Sequence, residues 1–265
     1  MFTWAKAHFK LTTVASIFLL QACIPLSALA WNGVAWSLSV EGFFYCLFPV
    51  VLKRLSRRRV SELFGIVIGC WLLEVAIASI YLILRPDGSL AFQDNNIPYF
   101  WKAVLKFNPA IHLPEFVAGM ACGLIFIRRE LRVARTLLVG AGVTAVALVI
   151  YFQERNPYLL IHTGLLIPAF ASIIVGLALP HGKTGWLEHR SLVALGNASY
   201  SLYLLHFTVI IYVFLIHRMP FNFYTGMAYV CGIVIASLLV FRFIEEPTRH
   251  LLSRRAGTKQ VSLTT

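Results

Sequence analysis

The strongest constraint on this chain is a series of apolar runs, each about as long as a lipid bilayer is thick. They fall near 12–30, 36–52, 61–84, 110–127, 136–152, 159–179, 195–215 and 223–244. A helix needs about 20 apolar residues to cross a hydrocarbon core of about 30 Å. Inside lipid, only helices and closed barrels satisfy their own backbone hydrogen bonds. These runs are continuous and long rather than short and alternating, which selects helices. The expected fold is therefore all-α, a polytopic membrane helix bundle of about eight transmembrane helices. Composition agrees, because 59% of the 265 residues are hydrophobic and 13% charged, against about 25% charged in a soluble domain. The expected organisation is a single transmembrane domain over 1–265 that ends in a cytoplasmic tail at 248–265.

A net charge of +12 raises the question of a nucleic-acid partner. The cations answer it by their placement, in short clusters between apolar runs: Lys53–Arg54, Arg57–Arg59 and Arg128–Arg135. With the amino terminus inside and loops alternating, only Arg85, Lys102, Lys106, Arg155 and Arg218 of the 23 Lys and Arg fall outside. That is the positive-inside pattern and no nucleic-acid surface. The expected location is the inner membrane, multi-pass, with both termini cytoplasmic. Lys6, Lys10 and the closing Ala28-Leu29-Ala30 give the first run the look of a secretory signal, and Leu20–Cys23 resembles a lipoprotein cleavage box. Everything downstream is membrane-embedded, so the first span is expected to be retained. The connection 85–109, with Pro86-Asp87-Gly88 and Gln93–Asn96, reads as a turn-rich outer loop. Cys23, Cys46, Cys70, Cys122 and Cys231 lack C-x-x-C spacing and read as small buried hydrophobes rather than metal ligands or disulfides.

An ionisable residue inside the bilayer costs about 2.5–3.5 kcal/mol on insertion scales, so each one invites a functional reading. Ser37, Glu41 and Tyr45 form one stripe at i, i+4, i+8. His206 lies about 17 Å into its span at 1.5 Å per residue and shares a face with Ser199 and Tyr203. Glu115 heads the series Glu115, Gly119, Gly123, whose G-x-x-x-G half predicts close helix packing. Glu115 follows His112 by one turn and suits the positive end of the helix dipole. Glu74 is mid-span without a local cation, equally readable as a protonated structural carboxyl or a functional one. His162 lies near an outer edge, ahead of Pro168, which is expected to bend its helix; no role is assigned to it. Glu245 and Glu246 with Arg242 and Arg249 fit local ion pairs. These residue types do not separate an enzyme from a transporter, which also keeps intramembrane Glu and His.

Four motifs in order say more. Trp36-Ser37-Leu38-Ser39-Val40-Glu41 with Phe44-Tyr45 and Pro49, then Leu113-Pro114-Glu115-Phe116 with Gly119-Met120, then Leu195-Gly196 with Ser199-Tyr200-Ser201-Leu202-Tyr203-Leu204 and His206, and last Phe243-Ile244-Glu245-Glu246-Pro247, span 36–247. This series resembles the acyltransferase 3 family of membrane-bound O-acyltransferases. The resemblance implies transfer of an acyl group, acetyl in the first instance, from a cytoplasmic acyl-CoA co-substrate to a hydroxyl of a cell-surface or exported glycan. It implies no bound cofactor and no metal, with the bilayer, the donor and the glycan as partners. On that basis Glu41 and His206 are the expected catalytic residues. Ser37, Tyr45, Glu115 and Tyr203 are expected to bind the acceptor, and Arg128, Arg129 and Arg132 the donor's phosphates. The family's opening helix, with an Arg, ten residues and a catalytic His, has no counterpart here, and His8 does not inherit that role. The chain thus reads as lacking two or three initial spans, impaired in transfer, with Glu41 and Glu74 facing lipid. A flippase-like transporter of lipid-linked glycan and a non-catalytic remnant are the alternatives.

Overall fold

In the computed structural model, residues 6–88, 99–128, 133–152, 158–179, 188–218, 220 and 222–255 are described. All regular elements among them are helical, and the chain divides into two compact units, Met1–His181 and Gly182–Thr265.

The first unit opens with α1 (Phe9–Ile17) and two 3₁₀ turns, Gln21–Cys23 and Pro25–Ser27. The run 12–30 is therefore no span. Leu19 turns the chain with a left-handed φ of 56°, and Pro25 cannot continue a helix. The polar residues of the run find partners that hold the fold-back: Gln21 Nε2 donates to the Ala35 carbonyl at 2.9 Å. Ser39 Oγ accepts from the Ala22 N–H at 3.2 Å and donates to the Leu19 carbonyl. Next come α2 (Trp36–Leu55), α3 (Val60–Leu84), α4 (Phe100–Phe107), α5 (Leu113–Ile127), α6 (Arg135–Tyr151), α7 (Tyr158–His162) and α8 (Ile167–Ala178).

Three helices among the described residues are long and apolar enough to cross a membrane, or four if one bent pair counts as a span. This corrects the expected count of about eight. They are Val60–Leu84, Tyr158–Ala178, where α7 and α8 together make one span, and Phe223–Leu251. The losses have local causes. The α2 helix carries Glu41, Lys53 and Arg54 along its length. Pro114 fixes the first turn of α5, leaving 15 residues, about 22 Å of helix against about 30 Å of hydrocarbon. The α6 helix stops at 17 residues. Pro168 does not bend a continuous helix. It takes the first turn of α8, after a break in which Gly164 adopts φ 88°.

Leu55 and Leu63 pack on Ala121 and Ile125, joining α2 and α3 to α5 with Val117, Met120 and Leu124 around them. Close helix packing does occur, between α6 and α8. A Cβ on Gly142 would stand 2.6 Å from the Ala169 carbonyl oxygen, and one on Gly176 would stand 2.8 Å from Val139. Gly119 and Gly123, expected to pack this way, do not, since a Cβ at either would meet nothing within 4 Å. The cysteines are free as expected, but none is buried. Large exposed apolar side chains such as Ile83, Leu84 and Ile127 give this surface the character of one solvated by lipid.

The second unit contains α9 (Arg190–Asn197) and α10 (Ser199–Ile210), bent by 62° where they meet. A π-helical turn, Ile211–Ile216, extends α10. The α11 helix (Phe223–Val240) is capped by Asn222, whose Oδ1 accepts from the Thr225 N–H at 3.0 Å. A second π turn, Phe241–Glu245, leads into α12 (Glu246–Arg255), which runs into the segment read as a tail. The ion pairs expected there form, Arg242–Glu246 at 3.2 Å and Arg249–Glu245 at 2.9 Å.

Candidate active site at the head of α5

The connection read as a turn-rich loop contains a helix, and that helix builds the site. Arg85 ends α3 in the left-handed region (φ 46°) and Gly88 follows at φ 82°. Between them, Asp87 accepts from the Tyr81 hydroxyl at 2.9 Å and from the Trp101 and Lys102 N–H groups at 3.2 and 2.7 Å. One carboxylate thus caps α4 and ties it to the end of α3. The α4 helix then buries Ala103, Leu105 and Phe107, and the Phe107 ring meets Trp36 edge-on at 5.2 Å.

Around Trp36 the structure gathers two histidines, with ring centroids of His112 at 5.8 Å and His162 at 6.2 Å. The two imidazoles are 6.2 Å apart. His112 is buried, and its Nε2 lies 2.9 Å from the Lys106 carbonyl. A carbonyl only accepts, so Nε2 carries the hydrogen, and in the neutral ring Nδ1 is the lone-pair nitrogen. That Nδ1 faces the Glu115 carboxylate at 3.6 Å, an arrangement that stabilises the protonated ring when a proton arrives. The Lys106 ammonium lies over the Tyr158 ring at 4.9 Å and the Phe107 ring at 5.4 Å. Burial pulls its pKa below the usual lysine value.

Two members of the cluster bury polar atoms that have no hydrogen-bond partner among the described residues. Nδ1 of His162 is buried without a hydrogen bond, as are both carboxylate oxygens of Glu74. Glu74 is fully buried, not facing lipid as the sequence reading held. The backbone at Gly164 lies against it, since a Cβ there would stand 2.9 Å from the Glu74 Cβ. From Glu115 and His162 a groove of about 540 Å³ runs between α5 and α8, within the usual range for a small-molecule site. Its walls are apolar, including Phe126, Phe170, Ile174 and Val175. Gly119 and Gly123 form part of its floor, so the small-residue stripe opens a space instead of closing a helix contact.

With this geometry in view, comparison with known proteins is decisive. The model of the acyltransferase domain family matches residues 3–242. The chain belongs to that family. The acyltransferase domain is similar to the acyltransferase MdmB of Streptomyces mycarofaciens, with 26% identity over 91% of this chain and 65% of that protein. It is similar to the O-acetyltransferase OatA of Staphylococcus aureus, with 24% identity over 81% of this chain and 35% of that protein. The chain thus spans less than two thirds of the length of either relative. No solved structure matches it.

The residues expected to act are distributed as follows in this acyltransferase domain. Glu115 alone among them joins the cluster. Ser37, Glu41 and Tyr45 share α2. Ser37 hydrogen-bonds the Val34 carbonyl at 3.2 Å, while Glu41 and Tyr45 are exposed. Tyr203 and His206 belong to the second unit, with ring centroids 5.7 Å apart. Nδ1 of His206 donates to the Tyr203 carbonyl at 2.6 Å, and Tyr229 donates to the His206 carbonyl at 2.7 Å. Arg128 forks onto the Arg58 and Ser56 carbonyls at 2.6 and 2.8 Å. Arg129 and Arg132 lie outside the described residues. Sequence reasoning left Glu74 open between a structural and a functional reading and did not name His112, His162 or Lys106 as site members. The one available signal was that Glu74 and His162 are ionisable residues in apolar runs without a local partner.

Proposed function

We propose that this chain is part of an integral membrane O-acyltransferase that moves an acyl group, acetyl in the simplest case, from acyl-CoA to a hydroxyl of a surface or exported glycan. The family and the O-acetyltransferase among its relatives support the reaction class. What carries the assignment to a place is the unpartnered Nδ1 of His162 at the polar end of an otherwise apolar groove. In this reading the donor's arm lies along the groove with its thioester carbon beside His162. The acceptor hydroxyl gives its proton to the imidazole, its oxygen bonds to the acyl carbon, and the carbon–sulfur bond breaks. The thiolate leaves as a thiol on taking that proton back. Glu115, at the same end of the groove, supplies the negative charge, and Trp36 and Phe107 keep water away.

The charge bias supports an orientation with the carboxy terminus cytoplasmic, which turns this cluster outward and Arg128 inward; with 12–30 no span, the expected cytoplasmic amino terminus does not go with it. Arg128 bonding to the 56–58 turn fits, because it brings two basic connections to one end. Reporter fusions test this: activity outside at Gly88 and none at Arg58 is expected, and the reverse refutes the orientation. The assignment of the site is tested in membranes supplied with labelled acetyl-CoA and glycan acceptor. His162→Gln is expected to lower transfer about 10²-fold or more at unchanged protein abundance. Wild-type rates in that variant would remove His162 from the reaction.

A further inference from the structure

At the end of the first unit opposite the histidine cluster lies a concavity of about 790 Å³ walled by Lys53, Arg54, Arg57, Arg58, Arg59 and Glu62. Five cations face one carboxylate there, and that carboxylate is already engaged. Glu62 Oε2 accepts from the Arg59 N–H at 2.9 Å, and Oε1 lies 4.0 Å from Arg58. Charge of one sign gathered in a cleft focuses the field and concentrates counter-ions. A topological signal needs only the charge; it does not need a cleft, nor a device to hold the cleft's shape. The shape here is held from another helix, because Arg128, at the end of α5, donates to the backbone carbonyls of Ser56 and Arg58. Those two hydrogen bonds pin the turn on which Arg57 and Arg58 sit.

We infer that this cleft binds phosphate groups, with Lys53, Arg54, Arg57, Arg58 and Arg59 as its ligands and Arg128 as a positioning residue that fixes their turn. Planar guanidinium forks match phosphate oxygens two at a time. The chemistry has two sources in a membrane: the phosphates of a nucleotide-bearing acyl donor, and the headgroup of an anionic lipid. The donor is the source required by the acyl-transfer reading above, on which that part of the inference rests. It shifts the phosphate-binding role from Arg128, as read from sequence, to the residues that Arg128 organises.

The test uses the full chain in nanodiscs of phosphatidylcholine alone or with phosphatidylglycerol. Binding of radiolabelled CoA and of dephospho-CoA is measured by equilibrium dialysis, and retained lipid by native mass spectrometry. In phosphatidylcholine, CoA is expected to bind more tightly than dephospho-CoA and to weaken as salt rises. The double variant Arg57→Gln/Arg58→Gln is expected to weaken CoA at least about tenfold, a loss of one ion pair's worth of contact or more. Arg128→Gln is expected to weaken it less, and Arg128→Lys to rescue it poorly, since an ammonium cannot span two carbonyls as a fork does. Arg190→Gln/Arg218→Gln, which removes equal charge elsewhere, controls for net charge and is expected to leave CoA binding intact. Loss of bound phosphatidylglycerol with no change in CoA would assign the cleft to lipid and overturn the donor role. No change in either overturns the site. CoA binding that depends on the cleft, in a protein that transfers no acyl group, would instead sink the acyl-transfer reading and leave the cleft standing.

Discussion

The two units solve the problem of polar groups in an apolar setting in opposite ways. In the second, the polar groups are satisfied, some within a helix turn and some across its helices. His206 donates to a carbonyl three residues back, Ser201 donates to Glu245 Oε2 at 2.9 Å, and Glu245 also takes Arg249. In the first, His112, Glu115, His162 and Glu74 come from three helices and the α4–α5 turn, and two of them bury polar atoms without a hydrogen bond among the described residues. A buried polar group without a hydrogen bond costs about 1–3 kcal/mol, and natural folds retain such groups where function needs them. The difference teaches that an ionisable residue within a span is not in itself the signal. Whether its own neighbourhood satisfies it is.

The largest expected effect follows from that contrast. His162→Gln should cut acyl transfer about 10²-fold or more, whereas His206→Gln should cost less than about threefold, under about 1 kcal/mol. Transfer rates that rank the two the other way would invert the comparison. The next is steric. Gly164→Val forces a β-branched residue into φ 88° with its Cβ 2.9 Å from Glu74, and should lower stability by about 2 kcal/mol or more. The matched change in the second unit, Gly232→Ala, meets open space on α11 and should be neutral or stabilising by up to about 1 kcal/mol. Thermal unfolding in detergent separates them. Glu74→Leu should raise stability by about 1–3 kcal/mol by removing an unsatisfied carboxyl while lowering transfer. A variant that gains stability and loses nothing would make Glu74 a passive burden. The smallest effect is Ser201→Ala, which should cost about 1 kcal/mol for the hydrogen bond to Glu245 and leave transfer as it was.

Much of the helical layout was legible in the sequence, and the site was not. The runs at 61–84, 159–179 and 223–244 correspond to the three helices able to cross a membrane, because a long apolar run leaves lipid-spanning helix as its low-energy state. The run 12–30 misled because its partners, the Ala35 carbonyl and Ser39, lie outside it and cannot be inferred from local pattern. The α4 helix was hidden by the turn residues ahead of it, one of which, Asp87, proves to be its cap. Gly119 and Gly123 show a real degeneracy: small residues four apart permit either a close helix contact or a groove, and only the neighbour's position decides. The histidine cluster was out of reach for the same reason. His112 and His162 are far apart in sequence, and only the packing of α7 on α3 and of α4 beneath Trp36 brings them together.

The α5 helix carries Glu115 in its first turn and ends at Arg128, which grips the turn bearing Arg57 and Arg58. Thirteen residues of helix separate those two positions, about 20 Å at 1.5 Å per residue. The helix is in effect a ruler. A bivalent ligand with one group in the cationic cleft and another beside His162 needs a flexible arm of about that reach. An arm that is long enough turns the second contact into an intramolecular event at millimolar effective concentration, and one that is too short gains nothing from the second site. Selectivity among donors can therefore reside in the distance between their two ends, with neither end recognised tightly by itself.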